Sequence, residues 1–562
     1  VLISRVGVNR GMAAVVPDDL NEANCANVVI VGNTKTFGSG DYDIWLIKTT
    51  SDGNLTWSST IGGTESDKAS SIRQTSDGGY IISGYTSSFG DGSSDAWIIK
   101  TDLNGNTSWT KTFGGTENDR ANSLSLTDDG GLFIPQSLNK YSATEINSFR
   151  ELEYNELAKK IIPTFIGDFM SEKDLSKIID KSYSVFRKKN VVNLIEVGDR
   201  SVLELFHGPT LAFKDVAMQL LGNFYEYYLN NENEKINIVV ATSGDTGAAA
   251  IDAIKGKKNI NIFVLHPHNR VSSVQRKLMT TGKEQNVFNI AINGNFDDCQ
   301  NLVKSMFADK SFSNEIKMSG VNSINWARII AQSVYYFYSY FLAKKKDEPV
   351  NFSVPTGNFG DVYAGYLAKK IGLPINKLIV ATNQNDILHR AISKGSYEVE
   401  KVTETISPSM DIQIASNFER LIYDLNNGDD TQTISAMNDI KEKGKYIIDQ
   451  EKLDRINSDF LSSKMNEDEV LKTIKEVYEK FDLVLDPHSA IGYGAFDKIN
   501  ISGNNIVLAT AHPCKFPDAI KNAINLKAEL PKELMYILSE KENYDIIDNN
   551  VDKVKQHIKE RI

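Results

Sequence analysis

"KINIVVATSGDTGAAAIDAI", residues 235–254, runs from a β-branched apolar stretch through a Ser/Thr/Gly turn into an alanine-rich segment. The same plan recurs in "VNFSVPTGNFGDVYAGYLAKKIG" from 350 and in "NNIVLATAHPCKFPDAIKNAI" from 504. Apolar strands alternating with helices predict a mostly parallel α/β sheet. In such sheets ligands sit beyond the carboxyl ends of the strands, where all three turns fall.

Each turn carries chemistry. Gly357, Asn358, Phe359 and Gly360 precede a helix start, so their backbone N–H groups suit an anion nest strengthened by the helix dipole. The plainer reading is a tight strand-to-helix turn that uses glycine for its backbone freedom. Neither Gly-x-x-x-x-Gly-Lys-Ser/Thr nor a Gly-x-Gly-x-x-Gly after a strand occurs, which argues against nucleoside triphosphates and dinucleotides.

In "PTLAFKDVAMQL", residues 209–220, Lys214 stands behind Leu211, Ala212 and Phe213 at a predicted helix start. An amine there, near the positive dipole end and in apolar surroundings, loses its proton more readily and can condense with an aldehyde. The alternative is a stem lying over apolar neighbours with its head in water. Paired with a phosphate nest, the reactive amine calls for a phosphorylated aldehyde, and pyridoxal 5'-phosphate is that cofactor.

Totals set the bounds. The chain has 562 residues, more than one core serves, so two or three domains are expected. Net charge is −11 and no basic stripe appears, which argues against a nucleic-acid partner. No stretch is long and apolar enough for a membrane span. Cys25, Cys299 and Cys514 are far apart and show no Cys-x-x-Cys spacing. Neither a disulfide scaffold nor a metal site is expected, and a cytoplasmic setting suits the larger part. His207 and His512 read as packing or orienting groups, and "YYFYSYF" at 335–341 as buried helix.

The front differs. "TFGSGDYDIWLIKTTSDGNLTW" at 36–57 returns as "SFGDGSSDAWIIKTDLNGNTSW" at 88–109, a period of 52 residues. Aromatic and β-branched runs between Gly/Asp/Asn/Ser turns predict short antiparallel strands. The segment resembles the repeats of secreted bacterial β-propeller proteins, but is too short to close a propeller alone. Residues 1–131 are therefore read as an incomplete, fused all-β piece. The change falls inside a shared Asp-Gly-Gly at 129–131, with helical periodicity from "FRELEYNELAKKII" onward.

The stretch "HGPTLAFKDV" at 207–216 resembles the pyridoxal-lysine segment of the threonine synthases, in the tryptophan-synthase-β-like group. "ATSGDTGAAA" at 241–250, "PTGNFGD" at 355–361, "LDPHSAIGYGA" at 485–495 and "TAHPCKFPDAI" at 510–520 match the same family in the same order. The resemblance covers 132–562. It implies a two-lobed α/β enzyme with open, mostly parallel sheets, lacking a short piece of the family's N-terminal segment. It also implies conversion of O-phospho-L-homoserine and water into L-threonine and phosphate.

By the same resemblance Lys214 bears the cofactor as a Schiff base, and Gly357, Asn358, Phe359 and Gly360 hold its phosphate. Thr510 faces the pyridine nitrogen and Asp245 approaches the ring hydroxyl. Ser243 and Thr246 lie near the substrate, whose phosphate needs cations; Arg328 and Lys515 are the candidates. Cys514 stands where the family usually has alanine and is read as a tolerated small residue. Two rivals stay open: a related pyridoxal-phosphate amino-acid dehydratase, and an extracellular β-repeat binding protein with an inactive second half.

Overall fold

The computed structural model describes residues 13–15, 27–114 and 132–562, apart from 51, 76–77, 91–92, 133, 136–137, 168–169, 233 and 344–347. Contacts divide the chain into two units, Val1–Phe133 and Ile134–Ile562. The shared Asp-Gly-Gly at 129–131 lies outside the described residues.

In the first unit the 52-residue period becomes two four-stranded antiparallel sheets. One holds Ala13–Val15, Asn27–Thr34, Asp43–Thr50 and Leu55–Ile61; the other holds Asp67–Gln74, Tyr80–Thr86, Asp95–Thr101 and Thr107–Phe113. Val31, Ile44 and Leu46 of the first share a core with Ile72, Tyr80, Ile82 and Trp97 of the second. The repeat has a local cause. Gly38 and Gly90, at φ 121° and 109°, bring the chain so close to Asp43 and Asp95 that a Cβ would meet their carboxylates. Phe37 on Trp45 and Phe89 on Trp97 repeat the same ring contact, with centroids 5.2 and 5.4 Å apart. All seven residues of Thr107–Phe113 are exposed.

The second unit holds two open sheets. A six-stranded sheet runs in the order Phe460–Lys464, Ile375–Thr382, Val350–Pro355, Asn504–Ala509, Arg200–Glu204, Asn193–Val197. It is parallel except for the closing hairpin pair. A five-stranded, wholly parallel sheet runs Met318–Ser319, Ile236–Ala241, Ile260–Pro267, Val287–Asn293, Asp545–Asp548. The three strand–turn–helix units therefore do not share one sheet: the first belongs to the five-stranded sheet, the other two to the six-stranded one. Local pattern specifies a strand and its following helix but carries no information on which strand lies alongside.

Helices cover both faces. Helix Asp245–Ile254 buries Ala248, Ala249, Ala250 and Ile254, and packs with Met218 and Leu221 of helix Lys214–Glu232. Small alanines let the helix approach the sheet closely, while each buried isoleucine contributes roughly 1.5–3 kcal/mol. Helix Trp326–Leu342 buries Tyr335, Tyr336 and Phe337 completely, so its aromatic stretch is core as expected.

Candidate active site

The lysine segment is shaped by its own aspartate. Asp215 accepts from Thr210 N–H at 2.8 Å and from the Thr210 hydroxyl at 2.6 Å, closing the turn that precedes the helix. Burial pushes the Asp215 carboxyl up to about 6, against the pull of those donors. Leu211, fully buried, adopts φ 63° to make the turn, a conformation that costs an L-residue about 1–3 kcal/mol. The segment is stitched to the exit turn of strand Asn504–Ala509: Phe213 N–H donates to Thr510 O at 2.8 Å, and His512 N–H to Leu211 O at 3.0 Å.

Helix Lys214–Glu232 begins at Lys214 itself. Its amine is buried, 3.5 Å from Asp245 Oδ2 and 4.9 Å from the Phe213 ring centre. Burial lowers its proton affinity, Asp245 opposes, and Lys515 and Arg328 add to the lowering.

Asp245 opens the helix after the first turn. Burial alone would raise its carboxyl, yet Lys515 and Lys214 hold it far below the carboxylate range. Gln275 also donates to Oδ1 at 2.8 Å. The hydroxyls of Ser243 and Thr246 line the same cleft.

The second turn is the cradle. Phe359 sits at φ 62° and caps helix Gly360–Lys370 through its backbone. Among the described residues, none of the backbone N–H groups from Gly357 to Asp361 donates to a protein acceptor. Gly357 admits no side chain, because a Cβ would lie 2.8 Å from Ser409 O and 3.1 Å from Ile412 Cδ1. Asp361, next along, is buried. Its Oδ1 accepts from the hydroxyls of Tyr335 and Tyr336, while Oδ2 has no partner. Burial pushes this carboxyl up to about 6 despite both tyrosines.

The third turn presents Thr510. Its N–H donates to Ser489 Oγ at 3.1 Å, and the Ser489 hydroxyl in turn donates to Asp486. Asp486 Oδ1 also lies 2.9 Å from His488 Nδ1, and His488 Nε2 accepts from Ser409 N–H at 3.3 Å. Those two contacts fix the neutral ring with its proton on Nδ1. Arg328 is buried, and among the described residues its guanidinium has one hydrogen bond, to Val321 O at 3.2 Å, and no ion pair. Burial lowers it to about 10.

One cleft gathers these groups. Lys214, Ser243, Asp245, Thr246, Arg328, Gly357, Asn358, Phe359, Gly360 and Thr510 all border it. Lys515 does not. It is fully buried with its amine 2.6 Å from Asp245 Oδ1 and 2.8 Å from Thr210 O, so its charge is already matched. At least two of the three Lys515 N–H donors are thus engaged by protein acceptors, outside the cleft lining where the expected substrate-phosphate role would place them. Cys514 packs with Leu211 and Val274, and burial pushes its thiol up to about 12. His512 accepts from Cys514 N–H and His207 lies 3.0 Å from Glu204, both orienting contacts.

Sequence reading missed further lining groups: Phe296, Ser323, Gln332, His488 and the stretch Pro408–Ile412. Gln332 is one helical turn beyond Arg328, so the helix assignment alone placed it on the same face. His488 lay inside a quoted motif. The 408–412 stretch had no local signal.

Comparison with known proteins is specific. Residues 117–183 match the family model described as threonine synthase N terminus, 202–452 pyridoxal-phosphate dependent enzyme, and 489–558 threonine synthase, C-terminal. The threonine synthase of Pseudomonas aeruginosa is 44% identical over 437 residues, 77% of this chain and 93% of that protein. That of Saccharomyces cerevisiae is 42% identical over 481 residues, covering 78% and 94%. Among solved structures, the pyridoxal-phosphate-bound threonine synthase of Brucella melitensis superimposes with a TM-score of 0.75 at 45% identity, covering 77% of this chain and 94% of that one.

Proposed function

The chain belongs to the threonine synthase family, pyridoxal-phosphate-dependent enzymes of the last step of threonine biosynthesis, and we propose that its cleft converts O-phospho-L-homoserine and water into L-threonine and phosphate. The observation that carries the reading is a buried amine at Lys214 and a row of acceptor-free N–H groups at 357–361 on the walls of one cleft.

The donor set fits the cofactor. Main-chain N–H groups at a helix start suit a phosphate. An amine whose hold on its proton is weakened by burial suits an aldehyde. Thr510 offers a neutral hydroxyl to a ring nitrogen, and Asp245 a carboxylate beside the amine. When bound, pyridoxal phosphate supplies the aldehyde and a ring that accepts electron density from the substrate's Cα.

The chain's own groups do the rest. Lys214 would hold the cofactor, and its amine, once free, is the group placed to take the proton from Cα as a general base. It is also the group placed to move a proton at Cβ. Phosphate would depart from Cγ toward Arg328, with Ser243 and Thr246 as hydroxyl donors; Cγ then takes a proton to become the methyl group, water adds its hydroxyl at Cβ, and Cα regains the proton it gave up. A cytoplasmic setting accords with the buried, unpaired thiols of Cys299 and Cys514. Among the described residues no helix is long and apolar enough to cross a membrane.

The test is product analysis. Purified enzyme given O-phospho-L-homoserine should release threonine and phosphate in equal amounts. Release of a 2-oxo acid and ammonia from threonine or serine, with phosphohomoserine untouched, would replace this reading with the dehydratase.

A further inference from the structure

Two buried lysines share one buried carboxylate. Lys515, with no exposed surface, lies 2.6 Å from Asp245 Oδ1; Lys214 lies 3.5 Å from Oδ2. Coulomb attraction falls with distance, so the nearer cation takes most of the stabilisation. Lys515 is also fixed from behind by Thr210 O at 2.8 Å, and Thr210 is itself fixed by Asp215. The carboxylate thus cannot swing wholly toward Lys214 without abandoning a buried charge, which is costly.

We propose that Lys515 is a positioning residue: by engaging Asp245 it denies Lys214 a full counterion, which eases loss of the proton that the Lys214 amine must shed before it meets an aldehyde. This rests on the reading of Lys214 as the aldehyde-bearing amine, and gives Lys515 its role in place of the substrate clamp. The other charged groups around Lys214 act as a fixed background. Arg328, from helix Trp326–Leu342, adds to the repulsion, and Asp361, from helix Gly360–Lys370, acts in the opposite sense through its charged form. Asp215 is turned toward Thr210, and the neutral His488 ring lies across the cleft.

The experiment uses the full chain stripped of cofactor. Pyridoxal phosphate is added between pH 6 and 10, the adduct is trapped with borohydride, and the Lys214 peptide is quantified by mass spectrometry. In Lys515→Met, Asp245 is left to pair with Lys214 alone. The pH midpoint of capture should rise by about one unit, and capture at neutral pH should slow about tenfold. Lys515→Arg should restore the wild-type midpoint. Asp245→Asn should lower the midpoint, since Lys515 then repels Lys214 without compensation. A folded Lys515→Met chain with an unmoved midpoint overturns the proposal. If that variant does not fold, an Asp245→Asn midpoint at or above wild type overturns it instead. An adduct on a lysine other than Lys214 in the wild-type chain would strike the proposed function, not this charge partition.

Discussion

Phe213 N–H donates to the carbonyl of Thr510 at 2.8 Å, and Ala212 pairs with Ala511 in an antiparallel bridge. The residue before the reactive amine is thereby tied to the residue proposed to meet the ring nitrogen. Segments almost three hundred positions apart in the chain become one rigid wall of the cleft. The backbones that carry Lys214 and Thr510 are held together by main-chain hydrogen bonds.

Replacing the amine tests the centre of this wall. Lys214→Ala should leave no borohydride-trapped adduct and lower threonine formation by about a thousandfold or more. Peptide mapping with a phosphate-release assay reads both.

The cradle has a steric test. Gly357→Ala puts a methyl group 2.8 Å from Ser409 O, so either the 408–412 stretch or the amide row must move. Overpacking of this kind costs about 1–3 kcal/mol. Cofactor affinity, followed by fluorescence quenching, should weaken roughly tenfold or more by that amount.

Arg328, on the cleft wall, is proposed to meet the substrate phosphate. Arg328→Met should raise the Michaelis constant for phosphohomoserine about ten- to a hundredfold, the worth of one charge-assisted hydrogen bond. The Kd for pyridoxal phosphate should change far less, through the charge on Lys214 alone, which separates the two anion sites.

Asp361 gives a pH signature. Its folded carboxyl titrates near 6 against 3.8 unfolded, so the native state holds the proton more tightly. The associated stability is complete below pH 3.8 and is lost as pH rises through 6. The difference amounts to about 3 kcal/mol. Urea unfolding of the stripped chain at pH 4.5 and 7 should show this slope on top of the like-signed one from Asp215, and Asp361→Asn should remove the Asp361 share while Asp215 keeps its own.

The front unit has its own prediction. A chain of residues 117–562 keeps every family match, and should form threonine at the full-length rate when measured side by side. A large loss would give residues 1–116 a part in catalysis.

The amine and the amide row were legible in sequence because each is a local signal, a lysine at a helix start and glycines after a strand; Thr510 was singled out only through the family resemblance. Groups that matter through distant partners were not legible. Lys515 reads as a free cation until the fold sets Asp245 beside it, across 270 positions of chain. Tyr335 and Tyr336 read as core, and they are, yet their hydroxyls also hold Asp361 at the foot of the cradle. Sheet membership was hidden for the same reason: hydrogen bonding between parallel neighbours depends on chain returns that no short pattern records.

Strand Asp545–Asp548 pairs with Val287–Asn293, so residues made long afterwards complete the edge of a sheet begun far upstream. Thr510 and Lys515 also arrive late. During translation, the emerging protein holds its reactive amine long before the groups that tune and enclose it. A nascent protein that has not yet made Asp545–Asp548 therefore carries Val287–Asn293 as a bare parallel edge.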